Sequence, residues 1–191
     1  MPPHSHARDV FSVEHAAHLD TNFRRFLYRP DRLAERYVKP GDRVLDFGCG
    51  PGFFTREFAK RVGEKGTVIA ADLQEGMLGI VRTKMADEGL GSRVKTHQCQ
   101  QDSLALSPEK DGQVNAAFAI FVVHEVPDRE KLFSEIAAML APGGIFFYSE
   151  PPFLVSGKEF RENLAMAERP GLLTVETRWY FVNRAAVLKK R

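Results

Sequence analysis

Little in this chain is in excess. Its 191 residues hold two cysteines, one tryptophan, and 27 Lys and Arg against 25 Asp and Glu. Two cysteines make no framework for a disulfide-stapled secreted domain. Reduced thiols and a cytoplasmic setting are the expectation, with a Cys49–Cys99 bridge left open. A net charge of +2 gives no field for holding a polyanion, so no nucleic-acid partner is expected. No apolar run approaches the roughly 18 residues of a membrane span, and no membrane partner is expected. The opening Met1-Pro2-Pro3-His4 lacks the basic-then-apolar pattern of an export signal. There is no internal repeat and no low-complexity tract. What remains is ordinary: 43% hydrophobic residues suit one well-cored domain. Oligomeric state is not legible here.

What is present is alternation. Residues 1–10 are polar and rich in Pro and His. From Phe11 to Tyr37 apolar residues recur at helical spacing, with a restart at Pro30 and with Leu33, Ala34, Tyr37 and Val38 on one face. After the Lys39-Pro40-Gly41-Asp42 turn, the patterning predicts strands at Arg43–Phe47, Thr67–Asp72, Arg93–Gln98, Val114–Val123 and Ile145–Glu150. Helices are predicted at Phe53–Val62, Glu75–Glu88, Asp128–Leu140 and Gly157–Arg169, the third closed by Pro142-Gly143-Gly144. Leu172–Arg178 and Arg184–Lys189 read as a terminal antiparallel hairpin. Strands alternating with helices predict a Rossmann-like α/β fold, a mostly parallel sheet in a three-layer α/β/α sandwich. The sheet occupies residues 41–191 of a single structural domain, with residues 1–40 as an N-terminal helical segment.

The chain is organised around Val44-Leu45-Asp46-Phe47-Gly48-Cys49-Gly50-Pro51-Gly52, an apolar run that turns on three glycines and leaves into a helix. Such a turn brings bare main chain up to a ligand at the carboxyl end of a strand. Asp72 ends the next strand, where a carboxylate can accept from both hydroxyls of a ribose. Together they imply an adenosine-type cofactor. A dinucleotide fingerprint, G-x-G-x-x-G, would need glycine where Phe53 stands, and Asp46 would repel a pyrophosphate. The carboxylate of Asp46 suits a ligand with an ammonium or sulfonium cation instead.

At this point four blocks in order carry a resemblance: Val44–Thr55, Val68–Gln74, Val114–Val126 and Leu132–Pro151. They resemble the motifs of class I S-adenosylmethionine-dependent methyltransferases, of the small type 11 branch. The resemblance implies a seven-stranded sheet ordered 3-2-1-4-5-7-6 with the last strand antiparallel, and S-adenosyl-L-methionine as cofactor. It implies that Asp46, Gly48, Cys49, Gly50 and Gly52 line the methionine part. Asp72 would bind the ribose, Leu73 and Met77 the adenine, and Phe121 and Val122 would flank the methyl-donor pocket. The family's Gly-Asp after the third strand is here Cys99-Gln100-Gln101-Asp102, so Gln100, Gln101 or Asp102 would meet the adenine. The Asp that opens the fourth strand is here Asn115. The family also places a lid at the N-terminus, the role that residues 1–40 would take.

The acceptor half carries fewer signals. His124 and Glu125 follow the fourth strand, where a general base would sit; a locally bonded loop histidine is the bland alternative. Glu150 ends the fifth strand as a second rim carboxylate, facing substrate or serving structure. Glu150-Pro151-Pro152-Phe153 resembles an element of nucleic-acid amino-methyltransferases, but it follows the wrong strand and reads as a rigid strand exit. His15 and His18 lie one turn apart and can face one point, yet few ligand-spaced partners accompany them, so no metal is expected. His15, His18 and Tyr28 would instead reach the substrate from the lid, and Phe11, Phe23, Phe26 and Phe153 would shape an apolar acceptor pocket. The reading is methyl transfer to a small-molecule acceptor. A non-catalytic cofactor-binding protein and an adenosine-cofactor oxidoreductase are the alternatives.

Overall fold

The computed structural model describes residues 26–191. It contains a seven-stranded sheet in the order β3-β2-β1-β4-β5-β7-β6. The strands are β1 (Arg43–Phe47), β2 (Thr67–Asp72), β3 (Val94–Gln98), β4 (Val114–Ile120), β5 (Leu140–Glu150), β6 (Leu172–Tyr180) and β7 (Asn183–Lys190). β7 alone runs antiparallel to its neighbours β5 and β6. The helices are α1 (Pro30–Tyr37), α2 (Thr55–Val62), α3 (Glu75–Asp87), the single turn α4 (Pro108–Asp111), α5 (Arg129–Met139) and α6 (Gly157–Glu168).

Strand residues alternate between two cores. Val44, Val68, Ala116 and Phe118 face one side, where Leu33 of α1, Phe58 of α2 and Val81 of α3 cover them. Leu45, Phe47, Ala117 and Ala119 face the other, under Phe133 of α5 and Phe160 of α6. The buried, near-continuous apolar character of β4 follows from cover on both faces. Asp128 and Ser156 cap α5 and α6, accepting from Lys131 N at 2.9 Å and Glu159 N at 3.1 Å.

Two boundaries differ from expectation by more than two residues. β4 stops at Ile120 rather than Val123, because Phe121 adopts a φ of 63° that no strand tolerates. Its N–H still donates to Ser149 O at 2.9 Å, and Val123–Glu125 then form a single 3-10 turn. Pro142-Gly143-Gly144 does not lie beyond a helix end in a loop. β5 begins at Leu140 and takes the three residues in as an irregularity, between the pairs Val114 with Leu140 and Ala116 with Ile145. A Cβ on Gly144 would lie 2.9 Å from Ala141 O, so only glycine fits that bend.

Asn115 sits at the amino end of β4 and accepts from Arg43 N at 2.8 Å. It ties the entries of two neighbouring strands, at the end of the sheet away from the strand exits.

Candidate active site

The sheet's order reverses between β1 and β4, and open α/β sheets place ligands outside the carboxyl ends of strands at such a point. A cavity of about 460 Å³ lies there. It is walled by the loop after β1 and by the exits of β2, β3, β4 and β5, with Tyr28 at its edge. Gly48, Cys49 and Gly50, Asp72, Leu73 and Met77, Gln100, Gln101 and Asp102, Phe121 and Val122, and His124 and Glu125 all line it. His15 and His18, like Phe11 and Phe23, lie outside the described residues. Phe153 lines the cavity and Phe26 does not.

The glycine loop differs from expectation in its hydrogen bonding. Its N–H groups are not bare. Gly48 and Cys49 donate to Ala71 O at 2.8 and 3.1 Å, Gly50 donates to Asp72 Oδ2 at 2.9 Å, and Gly52 donates to Cys49 O at 3.1 Å. A loop whose donors are spent internally offers no cradle to a pyrophosphate. What it offers is closeness. Gly48 has a φ of 68°, and a Cβ there would sit 2.3 Å from Val122 Cγ2. Gly52 is set against α3, where a Cβ would sit 3.2 Å from Val81 Cγ2, and it does not line the cavity.

Asp46 also stays out of the cavity. It is 2% exposed, and its Oδ2 accepts from Thr55 Oγ1 at 2.6 Å. The strand's alternation turns it under the loop instead of toward a ligand. Burial, with the charge of Asp72 adding to it, pushes its carboxyl up from 3.8 to about 7. An unfolded Asp46 releases its proton near 3.8, so the folded chain binds more protons between those values, and stability falls as pH rises through that window. The expected loss between pH 5 and pH 8 is about 2–3 kcal/mol. Urea unfolding at both pH values checks it: the Asp46→Asn variant keeps an acceptor for Thr55 and loses that part of the pH dependence.

Asp72 is 9% exposed, with Oδ2 on Gly50 N and Oδ1 on Gln74 N, both at 2.9 Å. Burial raises its carboxyl above the ordinary value. Each oxygen keeps a lone pair for a ligand donor. Beyond it, the loop after β3 is held by a residue that sequence reasoning missed. Glu135 of α5 accepts from Ser103 Oγ at 2.7 Å and from Leu104 N at 2.6 Å, fixing the segment that carries Gln100 to Asp102. Both thiols are free and buried; burial drives Cys49 well above its ordinary value and Cys99 up to about 12, so neither is a nucleophile at neutral pH.

Across the cavity, His124 is paired. Its Nδ1 lies 2.7 Å from Glu150 Oε2, and its N–H donates to Glu150 Oε1 at 3.1 Å. Glu150 is wholly buried and does not line the cavity. With Glu150 as a carboxylate acceptor, Nδ1 is the donor of that bond and Nε2 keeps its lone pair. The pairing was legible in principle: β4 and β5 are neighbours, with Ile120 opposite Ser149, so their exit residues meet. Glu125 lies 3.9 Å from Nε2, and burial raises its carboxyl.

A loop without free donors, an acceptor pair at Asp72 and carboxylates near by fit a cationic nucleoside better than an anionic one. The comparisons agree. Residues 44–144, more than half of the chain, match a family model described as a methyltransferase domain. The chain is 36% identical over 119 residues to the ubiquinone/menaquinone biosynthesis C-methyltransferase UbiE of Vibrio vulnificus, covering 61% of this chain and 45% of that one. The namesake of Photorhabdus laumondii is 33% identical over 126 residues, 64% of this chain and 49% of its own length. The chain thus spans about half the length of these curated relatives. A SAM-dependent methyltransferase from Aquifex aeolicus shares the fold with a TM-score of 0.84 at 24% identity, over 95% of this chain and 100% of that one. This chain belongs to the methyltransferase domain family, among the class I S-adenosylmethionine-dependent methyltransferases. S-adenosylmethionine is the cofactor this membership implies.

Proposed function

We propose that this chain transfers the methyl group of S-adenosylmethionine to a ring carbon of a small hydroxylated aromatic acceptor, with His124 as general base. The observation that carries the reading is the His124–Glu150 pair, a histidine at the cavity wall with one nitrogen locked on a buried carboxylate and the other left basic. A ring held in one orientation at the cavity wall supports proton removal over cofactor holding alone. The names of the relatives, C-methyltransferases of quinone biosynthesis, support carbon as the attacked atom.

When bound, the cofactor supplies a methyl group on a sulfonium, already a good leaving group. The chain's own work is then alignment and proton removal. Asp72 accepts from the ribose hydroxyls. Leu73 and Met77 flank the adenine, while Gln100, with Gln101 and Asp102 beside it, accepts from its amine. The main chain of Gly48, Cys49 and Gly50 runs along the methionine part. Phe121 and Val122 hold the methyl donor in place. Asp46 and Gly52 act from beneath, by keeping the loop in shape. On the acceptor side, Tyr28, Phe153 and Leu154 present apolar surface to the ring. His124 Nε2 takes the hydroxyl proton, which raises electron density at the adjacent ring carbon; once that carbon carries the methyl group its own hydrogen leaves as a proton to solvent, and the hydroxyl is restored from the His124 imidazolium that Glu150 stabilises. No described helix is long and apolar enough to cross a membrane.

An assay of S-adenosylhomocysteine release over a panel of hydroquinones, phenols, thiols and amines tests this. The expected product is methylated at a ring carbon beside a hydroxyl. Turnover confined to amines or thiols, or binding of the cofactor with no turnover on any acceptor, would contradict it.

A further inference from the structure

We infer, resting on the proposed function, that Glu125 selects the acceptor: its carboxylate accepts from a second donor, carried on the ring carbon next to the hydroxyl that His124 deprotonates. The preferred acceptor is then an ortho-dihydroxylated ring.

Among the described residues, the acidic ones that line the cavity are Asp72, Asp102, Glu125, Asp128 and Glu135. All but Glu125 are engaged elsewhere. Asp72 accepts from Gly50 N and Gln74 N, Glu135 from Ser103 and Leu104, and Asp128 from Lys131 N. Asp102 is largely in solvent and stands 3.9 Å from Lys131 Nζ. Glu125 differs. Its side chain is only 22% exposed, and no described residue donates a hydrogen bond to it. Its near neighbour is His124 Nε2 at 3.9 Å, beyond hydrogen-bond reach. Burial, and with it the charges of Asp72 and Glu150, act against its ionised form. A half-buried acceptor without a donor is costly to keep, and a donor on the ligand removes that cost.

The backbone fixes the pair. Val123–Glu125 form one 3-10 turn after β4, with Glu125 N donating to Val122 O at 3.0 Å. Glu150 holds His124 from behind. His124 and Glu125 both line the cavity, and so present it with two acceptors 3.9 Å apart. A phenol with a single hydroxyl has one proton and serves only one of them. Para hydroxyls point in opposite directions and cannot serve both. Hydroxyls on adjacent ring carbons point the same way and splay slightly. At ordinary O–H···O lengths of about 2.7–2.8 Å their acceptors fall near the observed separation. An ortho-dihydroxylated ring thus gives Nε2 the proton to be removed and gives Glu125 its donor. That second bond is charge-assisted and fixes the rotation of the ring in its plane. The free carbon on the other side of the first hydroxyl is then the one set before the methyl group.

Catechol, hydroquinone and phenol, offered in turn to the full chain with S-adenosylmethionine, test this. The rate of S-adenosylhomocysteine release and the position of the new methyl group are read for each. The expected kcat/KM for catechol exceeds that for the other two by about 10- to 100-fold, as for one hydrogen bond to a charged group. Glu125→Met keeps the length of the side chain and removes both acceptor oxygens, and the ratio falls to within about threefold. Glu125→Gln keeps one acceptor and an intermediate ratio. A misfolded fraction cancels, because the rates in each ratio come from one preparation. Calorimetric titration of the three probes, with S-adenosylhomocysteine present, gives the same order in affinity. Equal kcat/KM on all three rings, or a catechol preference that survives Glu125→Met, overturns the inference and leaves ring-carbon methylation standing. Methylation of none of the three rings overturns the proposed function, and this inference with it.

Discussion

His124→Asn lowers kcat for methyl transfer by about 10²- to 10⁴-fold and leaves the affinity for S-adenosylmethionine within about threefold of wild type. Asparagine is the informative replacement because its amide nitrogen reaches the place of Nδ1. It keeps the donor on Glu150, whose carboxylate is wholly buried and would otherwise be stranded at a cost of about 1–3 kcal/mol or more. What asparagine lacks is Nε2. The loss therefore falls on proton removal and not on the fold. Single-turnover kinetics beside calorimetric titration separate the two quantities. Unchanged kcat on the preferred acceptor would remove His124 from the chemistry and return it to the status of a locally bonded loop residue.

The second large effect comes from a single methyl group. Gly48→Ala is expected to weaken S-adenosylmethionine binding by at least about a hundredfold and to destabilise the fold by about 2–4 kcal/mol. Two costs add. The φ of 68° is strained for any residue with a Cβ, and that Cβ would lie 2.3 Å from Val122 Cγ2 and 2.6 Å from Val122 Cβ. Valine is stiff at χ1, so it cannot swing aside. The loop after β1 must lift, or the exit of β4 must retreat, and both wall the cavity. Combining Gly48→Ala with Val122→Ala should recover part of the loss, since residues in contact do not act additively. Gly41→Ala is the control: its φ is 87° with nothing within 4 Å of the added Cβ, so it carries the backbone cost alone and leaves cofactor binding intact. Thermal unfolding and titration on the three variants check the series.

The layered fold was legible because its signals are local and repeated. An apolar run, a glycine turn and a helical pattern recur along the chain, and each crossover follows from the last. The errors fell where burial hides conformation. Phe121, Val122 and Val123 continue the apolar run of β4, and Val123 is fully buried, so periodicity cannot say that the strand has already ended. Pro-Gly-Gly reads as a stop, yet β5 absorbs it as an irregularity between its pairs with Val114 and Ala116. At the site, the residues that wall the cavity come from motifs at strand exits, where position alone places them. Direction was not legible. Asp46 stands beside the loop in sequence, but its carboxylate points to Thr55, nine residues on. Glu135 lies on a helix far along the chain and carries no motif, so only its contacts with Ser103 and Leu104 reveal it.

On the proposed function, the cavity at the β1–β4 switch point holds S-adenosylmethionine with its methyl group turned toward His124. A crystal structure of the chain with S-adenosylhomocysteine tests it most directly. The expected result is the ribose on Asp72, the adenine between Leu73 and Met77, and the sulfur on the side of Phe121 and His124. A nucleoside bound outside this cavity, or held in it with the sulfur facing away from His124, would contradict it.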